Sequence, residues 1–166
     1  MSLSVLVLSD THIRRDGRRT LPLAVRDVAA RADVVLHAGD VVVPDVLTDL
    51  AGYGPVHAVL GNNDHELVGT LPATLLVDLA GVRVAMVHDS GPTAGRPTRL
   101  KRMFPAADVV IFGHSHLPLD ECGLDGQRLF NPGSPTERRR APTHTVGLLE
   151  LDAGRVVAHR LVHLDH

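Results

Sequence analysis

Tryptophan is absent from this sequence, tyrosine occurs once and phenylalanine three times, so aromatics make up only 2% of its 166 residues. Hydrophobic residues still account for 44% of the chain, an ordinary share for a globular protein. The core therefore has to be built from Val, Leu, Ile and Ala, which favours strands and small helices. Few aromatics also means few stacking platforms for single-stranded nucleic acid. The formal net charge of -2 points the same way, because gripping a nucleic-acid backbone takes many unopposed cations. No stable nucleic-acid complex is expected.

Cysteine is nearly absent too. Cys122 stands alone, which excludes an intramolecular disulfide and a thiolate zinc cluster and fits a packed thiol in a reducing compartment. The opening apolar run carries no basic leader and is cut by Asp10 far short of a signal or membrane segment. The expectation is a cytoplasmic protein with no membrane partner. The sequence has no internal repeat, low-complexity stretch or linker, and its length suits one domain over residues 1–166.

What the chain does contain is a series of apolar runs rich in Val and Leu, at residues 5–8, 34–36, 56–60, 82–87 and 109–112. Each has strand length and is mostly unalternated, as buried parallel strands covered on both faces are. Helices are expected over residues 21–32, opened by Thr20 and Pro22, over residues 44–51, opened by Pro44, and over residues 98–104, stopped by Pro105. The first half reads βαβαβ. From Leu117 onward, Asp125-Gly126 and Asp152-Ala153-Gly154 mark hairpin turns, predicting a largely antiparallel second half. Together these features predict an α/β chain of two stacked sheets with helices on the outer faces.

Every run gives way directly to residues that bind metals: Asp10-Thr11-His12, Gly39-Asp40, Gly61-Asn62-Asn63-Asp64, His88 and Gly113-His114-Ser115-His116. In open α/β sheets the carboxyl ends of the strands converge on one crevice, so these residues become neighbours there. A lone Asp or His after a strand is usually a cap or loop residue; five such positions point to a site. Gly39, Gly61 and Gly113 supply tight turns that aim the next side chain over the sheet edge. Imidazole, carboxylate and amide oxygen without sulfur suit Mn, Fe, Co, Ni or Zn. An Asp amid such a set bridges two ions roughly 3.5–4 Å apart, and Asp40 is the expected bridge. Two divalent ions exceed the negative charge of Asp10, Asp40 and a bridging hydroxide, so the substrate should be anionic. Water bound to such ions has its pKa lowered from about 15.7 to about 7, and no side-chain nucleophile is needed.

Rival chemistries fail on their own residues. Gly113-His114-Ser115-His116-Leu117 lacks the closing glycine of a nucleophile elbow, and no Walker-type phosphate loop is present. The His-x-His pair runs into Leu117-Pro118 rather than the Asp-His of metallo-β-lactamase-like hydrolases.

Taken in order, these motifs resemble the calcineurin-like metallophosphoesterase superfamily, most closely its small phosphodiesterase branch, which also contains the retromer scaffold subunit. The closing turn Asn131-Pro132-Gly133-Ser134 is similar to that branch as well. The resemblance implies an α-β-β-α sandwich and two divalent metal ions, manganese first among Mn, Fe, Zn, Ni and Co. It places Asp10, His12 and His116 on one ion, Asn62, His88 and His114 on the other, and Asp40 between them. The catalytic set is then Asp40, Asn62, Asn63 and His114, with His114 or Asn62 steadying phosphoryl oxygens. Asp64 is expected to orient a ligand imidazole, as metal-bound His usually requires.

Two departures bear on the substrate. Larger relatives read Gly-Asp-x-x-Asp and Gly-Asn-His-Asp/Glu, whose extra Asp and His contact the scissile phosphate; here those positions hold Val43 and Asn63. General-acid help is typically worth about 10²–10⁴-fold, so poor leaving groups should react slowly and phosphodiesters or activated esters are favoured. His65 or Asn63 then offers only a hydrogen bond. Asp89-Ser90 also stands where the branch often has Gly-His, changing the rim of the second metal position. The competing function is a scaffold of the same fold with little or no catalysis, and a homodimer or higher homo-oligomer suits a domain this small.

Other polar residues have ordinary readings. Arg14, Arg15, Arg18 and Arg19, like Arg138, Arg139 and Arg140, fit solvated loop charges, although the first group is placed to steer or clamp phosphate. His37, His57, His144, His159, His163 and His166 fit structural or surface positions. Asn131 to Ser134 is first a turn and only second a pocket wall.

Overall fold

The computed structural model describes residues 2–165, whose apolar runs become strands of two five-stranded sheets. In the first sheet β1 (Leu3–Leu8), β2 (Val34–His37) and β3 (Val56–Ala58) run parallel. The antiparallel strands β9 (Thr145–Asp152) and β10 (Arg155–His163) extend it beyond β1, giving the order β10-β9-β1-β2-β3. The second sheet comprises β4 (Thr74–Leu79), β5 (Val82–Val87), β6 (Val109–Ile111), β7 (Leu119–Cys122) and β8 (Arg128–Asn131), in the order β4-β5-β6-β8-β7. Its central strands β5, β6 and β8 are parallel, while β4 and β7 pair antiparallel at the edges.

The twofold periodicity of a strand explains the layers. Val5 and Val7 of β1 point between the sheets, meeting Met86, Ile111 and Phe130, while Leu6 and Leu8 point outward. There they pack on Val25 and Ala29 of α1 (Leu23–Ala29) and Val46 and Leu50 of α2 (Pro44–Ala51). Leu100 of α3 (Arg96–Met103) covers Val110 and Leu129 on the outer face of the second sheet. With helices on one face and a sheet on the other, the central strands have no solvent side, which is why their sequences are unalternated. The result is the expected α-β-β-α sandwich. Pro44 in the first turn of α2 and Asp45 beside it fit a helix start.

Several boundaries or pairings differ from expectation, among them α3, which starts two residues earlier than residue 98 and ends at Met103. From Leu117 onward the pairings are antiparallel as expected, with one exception: β7 turns back from β6, and the Asp125-Gly126 turn reverses the chain again, so β8 runs parallel to β6. Strand β4 was not anticipated; it pairs with β5 through Ala80-Gly81 at the sheet edge, where its alternate residues are exposed. Helix α1 is shorter than residues 21–32, because Pro22 caps it and Asp33 N–H already bonds Ser4 O. Strand β3 stops at Ala58, after which Leu60 N–H leaves the sheet for Pro72 O. Among the described residues no helix is long and apolar enough to cross a membrane.

His37, at the end of β2, is fully buried. Its Nδ1 accepts from Gly39 N–H at 3.1 Å, so Nε2 carries the proton and donates to Thr11 Oγ1 at 3.0 Å. It is structural, as expected. His144, His159 and His163 make surface contacts with Asp165, Asp120 and Thr143, and His57 lies half-buried in β3; His166 lies outside the described residues.

Two outcomes follow from this packing. A methyl group on Gly147, which pairs with Val7, would collide with the Phe130 ring. Gly147→Ala is expected to lower unfolding free energy by about 1–3 kcal/mol in urea denaturation. Burial pushes the His37 pKa down from 6.5 to about 4. Between those values the unfolded state binds the extra proton, so stability declines as pH falls through that window, by on the order of 3 kcal/mol from this group. A proton NMR titration of His37 is expected to show its midpoint near 4, and a midpoint near 6.5 would contradict the assignment.

Candidate metal centre

The loops that leave β1, β2, β3, β5 and β6 meet at one end of the two sheets, and the expected ligands meet with them. Their backbone is under unusual demand: Asp10, His12, Asp40, His114 and His116 have φ of 56°, 45°, 58°, 71° and 62°. A left-handed conformation costs a non-glycine residue roughly 1–2 kcal/mol, and such outliers gather where a function over-determines the geometry.

Asp10 anchors the first cluster. Its Oδ2 accepts from Ser9 Oγ at 2.7 Å and from His114 N–H at 3.0 Å, leaving Oδ1 turned inward. Oδ1 lies 3.4 Å from His116 Nε2 and 3.7 Å from His12 Nε2. His116 Nδ1 donates to Glu137 O, which fixes Nε2 as the nitrogen facing Asp10. All three of these inward atoms are buried and have no hydrogen-bond partner among the described residues. Buried polar atoms are rarely left so, and a carboxylate oxygen with two imidazole nitrogens is a donor set for a divalent transition metal. The residues therefore fit the ion that the sequence implied.

The second cluster adjoins it. His88 Nδ1 donates to Ala38 O at 2.7 Å, so Nε2 faces the site, 3.0 Å from Asn62 Oδ1. Asn62 Oδ1 is in turn 3.2 Å from His114 Nδ1. Asp40 Oδ2 lies between the clusters, 3.3 Å from both His12 Nε2 and His88 Nε2. Burial alone would raise the Asp40 carboxyl, but His88 and the Asn63 amide hold it well below the usual carboxylate range. Burial likewise opposes ionisation of Asp10, and contacts with His12, His88 and Ser9 outweigh it. Both carboxylates are thus charged and ready to ligate.

The structure brings all seven expected ligand residues to this place, and it revises three supporting roles. Among the described residues Asp64 has no hydrogen bond to an imidazole. Its carboxylate accepts from the N–H groups of Asp40, Val42 and Gly61 at 2.9, 2.7 and 2.7 Å, shaping the loop that presents Asp40. Asn63 is turned inward, donating its backbone and side-chain N–H to Asp40 at 2.9 and 3.0 Å. Of the three glycines, only Gly39 has a positive φ, 102°. Gly113 is needed for space instead: a Cβ there would collide with Ser9 Oγ and Asp10 Oδ2.

Sequence reasoning also missed a clamp. Ser134 Oγ donates to Asp10 O at 2.8 Å, Thr136 Oγ1 to Thr11 O at 2.6 Å, and Asn131 Nδ2 to Gly113 O at 3.2 Å. The same segment brings Glu137 Oε2 to 3.7 Å from His12 Nε2. The Asn131-Pro132-Gly133-Ser134 turn was its only visible trace. His65 is exposed, and Val43 is buried at the start of α2.

Residues 3–154 match the model of the calcineurin-like phosphoesterase superfamily domain. A probable metallophosphoesterase of Methanothermobacter thermautotrophicus is 36% identical over 154 residues, covering 92% of this chain and 88% of that protein. Among solved structures, vacuolar protein sorting 29 of Cryptosporidium parvum superposes with a TM-score of 0.79 at 20% identity, covering 98% of both chains. A structure described as a novel archaeal phosphodiesterase gives 0.72 at 21% identity, covering 98% of this chain and 100% of that one.

Asp40→Asn removes the charge between the clusters. It is expected to weaken metal binding by tenfold or more, read by metal analysis after dialysis against a graded chelator. Unchanged metal content and affinity in the variant would show that Asp40 is not a ligand.

Proposed function

Because the chain belongs to the calcineurin-like phosphoesterase superfamily, we propose that it is a metal-dependent phosphodiesterase. In this reading Asp10, His12 and His116 would hold one divalent ion and Asn62, His88 and His114 a second, with Asp40, placed between the two groups, shared by both. The observation that carries it is the set of three buried, partnerless atoms, Asp10 Oδ1, His12 Nε2 and His116 Nε2, beside a second group of ligand atoms. The donor set suits Mn, with Fe, Co, Ni or Zn as substitutes. When bound, such ions polarise phosphoryl oxygens and acidify water enough for attack at neutral pH.

The chain's own groups divide the remaining work. Ala38 O and Glu137 O fix the ring orientation of His88 and His116, so their ligand nitrogens need not reorganise. Asn62 and His114 are exposed at the mouth and are placed to steady phosphoryl oxygens. Asp89 Oδ2 lies 4.0 Å from His114 Nε2, giving that rim a carboxylate.

Leaving-group chemistry favours diesters. The position that carries an acid in larger relatives is the buried Val43, and Asn63 spends its amide on Asp40. No imidazole from either position protonates a departing oxygen, so substrates with good leaving groups are preferred. The archaeal phosphodiesterase of similar fold supports the same choice.

Mn-loaded protein is expected to hydrolyse bis(p-nitrophenyl) phosphate with a kcat/KM at least tenfold above that for p-nitrophenyl phosphate. Preference for the monoester would overturn the diester assignment. Bound metal without turnover on either ester would favour a scaffold role, to which the likeness to vacuolar protein sorting 29 lends its weight.

A further inference from the structure

Beside the candidate metal centre lies a polar basin of about 340 Å³ lined by His12, Arg14, Asp16, Arg18, Arg19 and Glu137. His12 is the wall it shares with the first metal cluster. The loop that supplies the arginines is held in place. Arg15 ties it to Asp45 at 3.2 Å and to Glu66 at 2.8 Å. Arg18 N–H bonds Asp16 Oδ1 at 3.0 Å, and Arg19 donates to His12 O at 3.3 Å.

The charges in this basin are unequally answered. Glu137 Oε2 stands 3.8 Å from Arg19 and faces that cation. Among the described residues, the guanidinium groups of Arg14 and Arg18 have no carboxylate or carbonyl partner, and both residues are exposed. Two guanidinium forks, free of internal partners and next to a site for phosphoryl groups, match the planar geometry with which arginine grips a phosphate. Ordinary solvated loop charges would not need the loop to be pinned through Arg15 and Arg19.

Resting on the phosphodiesterase reading above, we propose that the substrate is a small phosphodiester bearing a second phosphate on one ester arm, and that Arg14 and Arg18 bind that second phosphate. The scissile phosphoryl then sits over the metal ligands, and the arm reaches past His12 into the basin. The size of the basin suits one phosphate and its linkage rather than a nucleic-acid strand.

The test compares two chromogenic esters on the Mn-loaded protein: the p-nitrophenyl ester of thymidine 5′-phosphate, with and without a 3′-phosphate. The 3′-phosphorylated ester is expected to have the lower KM. Arg14→Ala and Arg18→Ala should each lower its kcat/KM about tenfold more than that of the plain ester, mainly through KM, with partial recovery in the Lys variants. Binding of thymidine 3′,5′-bisphosphate against thymidine 5′-monophosphate, by calorimetry on the Mn-loaded protein, reads the same preference without turnover. Equal losses for both esters, or no preference in binding, would overturn the second-phosphate site while leaving the phosphodiesterase intact. An arginine-dependent preference in binding without hydrolysis of either ester would uphold the basin and remove the catalytic reading.

Discussion

A carboxylate taken fully out of water costs several kcal/mol unless its charge is met, and Asp10 meets it on one oxygen only. Ser9 and the His114 amide satisfy Oδ2, while Oδ1 faces two imidazole nitrogens that have no partners of their own. Much of the surrounding architecture follows from holding that oxygen in place. Gly113 must lack a side chain so that the β6 loop can approach the carboxylate. Glu137 O must be present so that the His116 ring turns the right nitrogen inward. The Asp64 carboxylate plays the corresponding part for Asp40, gathering three backbone N–H groups that turn its loop toward the same point.

Stability and function pull apart at this rim. Five ligand residues in left-handed conformations would each be more comfortable elsewhere on the backbone map. What keeps them there is the sandwich itself: parallel strands end at one level, and buried Val and Leu side chains on both faces set where they end. The arginine loop shows the same logic at the surface, where Arg15 and Arg19 are used to position neighbours rather than to neutralise charge.

Much of this was legible in the sequence, and for a definite reason. Buried parallel strands write themselves as unbroken apolar runs, and a polar residue at the end of each run is conspicuous, so Asp10, Asp40, Asn62, His88 and His114 stood out. The direction of β8 did not, because a hairpin whose second strand pairs with β6 leaves the same local pattern as one whose first strand does. Strand β4 was masked by its edge position, where Leu75 and Val77 alternate with exposed neighbours. The duties of Asp64, Ser134 and Thr136 were hidden for another reason. Each bonds to backbone atoms, and a backbone partner leaves no residue type to read.

The clamp formed by Ser134 and Thr136 spans 124 and 125 residues of chain to reach Asp10 and Thr11. Contacts so distant in sequence are closed late, after local structure has formed. During synthesis the first of these motifs therefore emerges long before the segment that braces it, and Asp10 and Thr11 stay unbraced until residue 136 has left the ribosome. The cluster of inward-facing ligand atoms is in this way finished only with the fold, and a chain cut before Ser134 would lack the brace on Asp10 and Thr11.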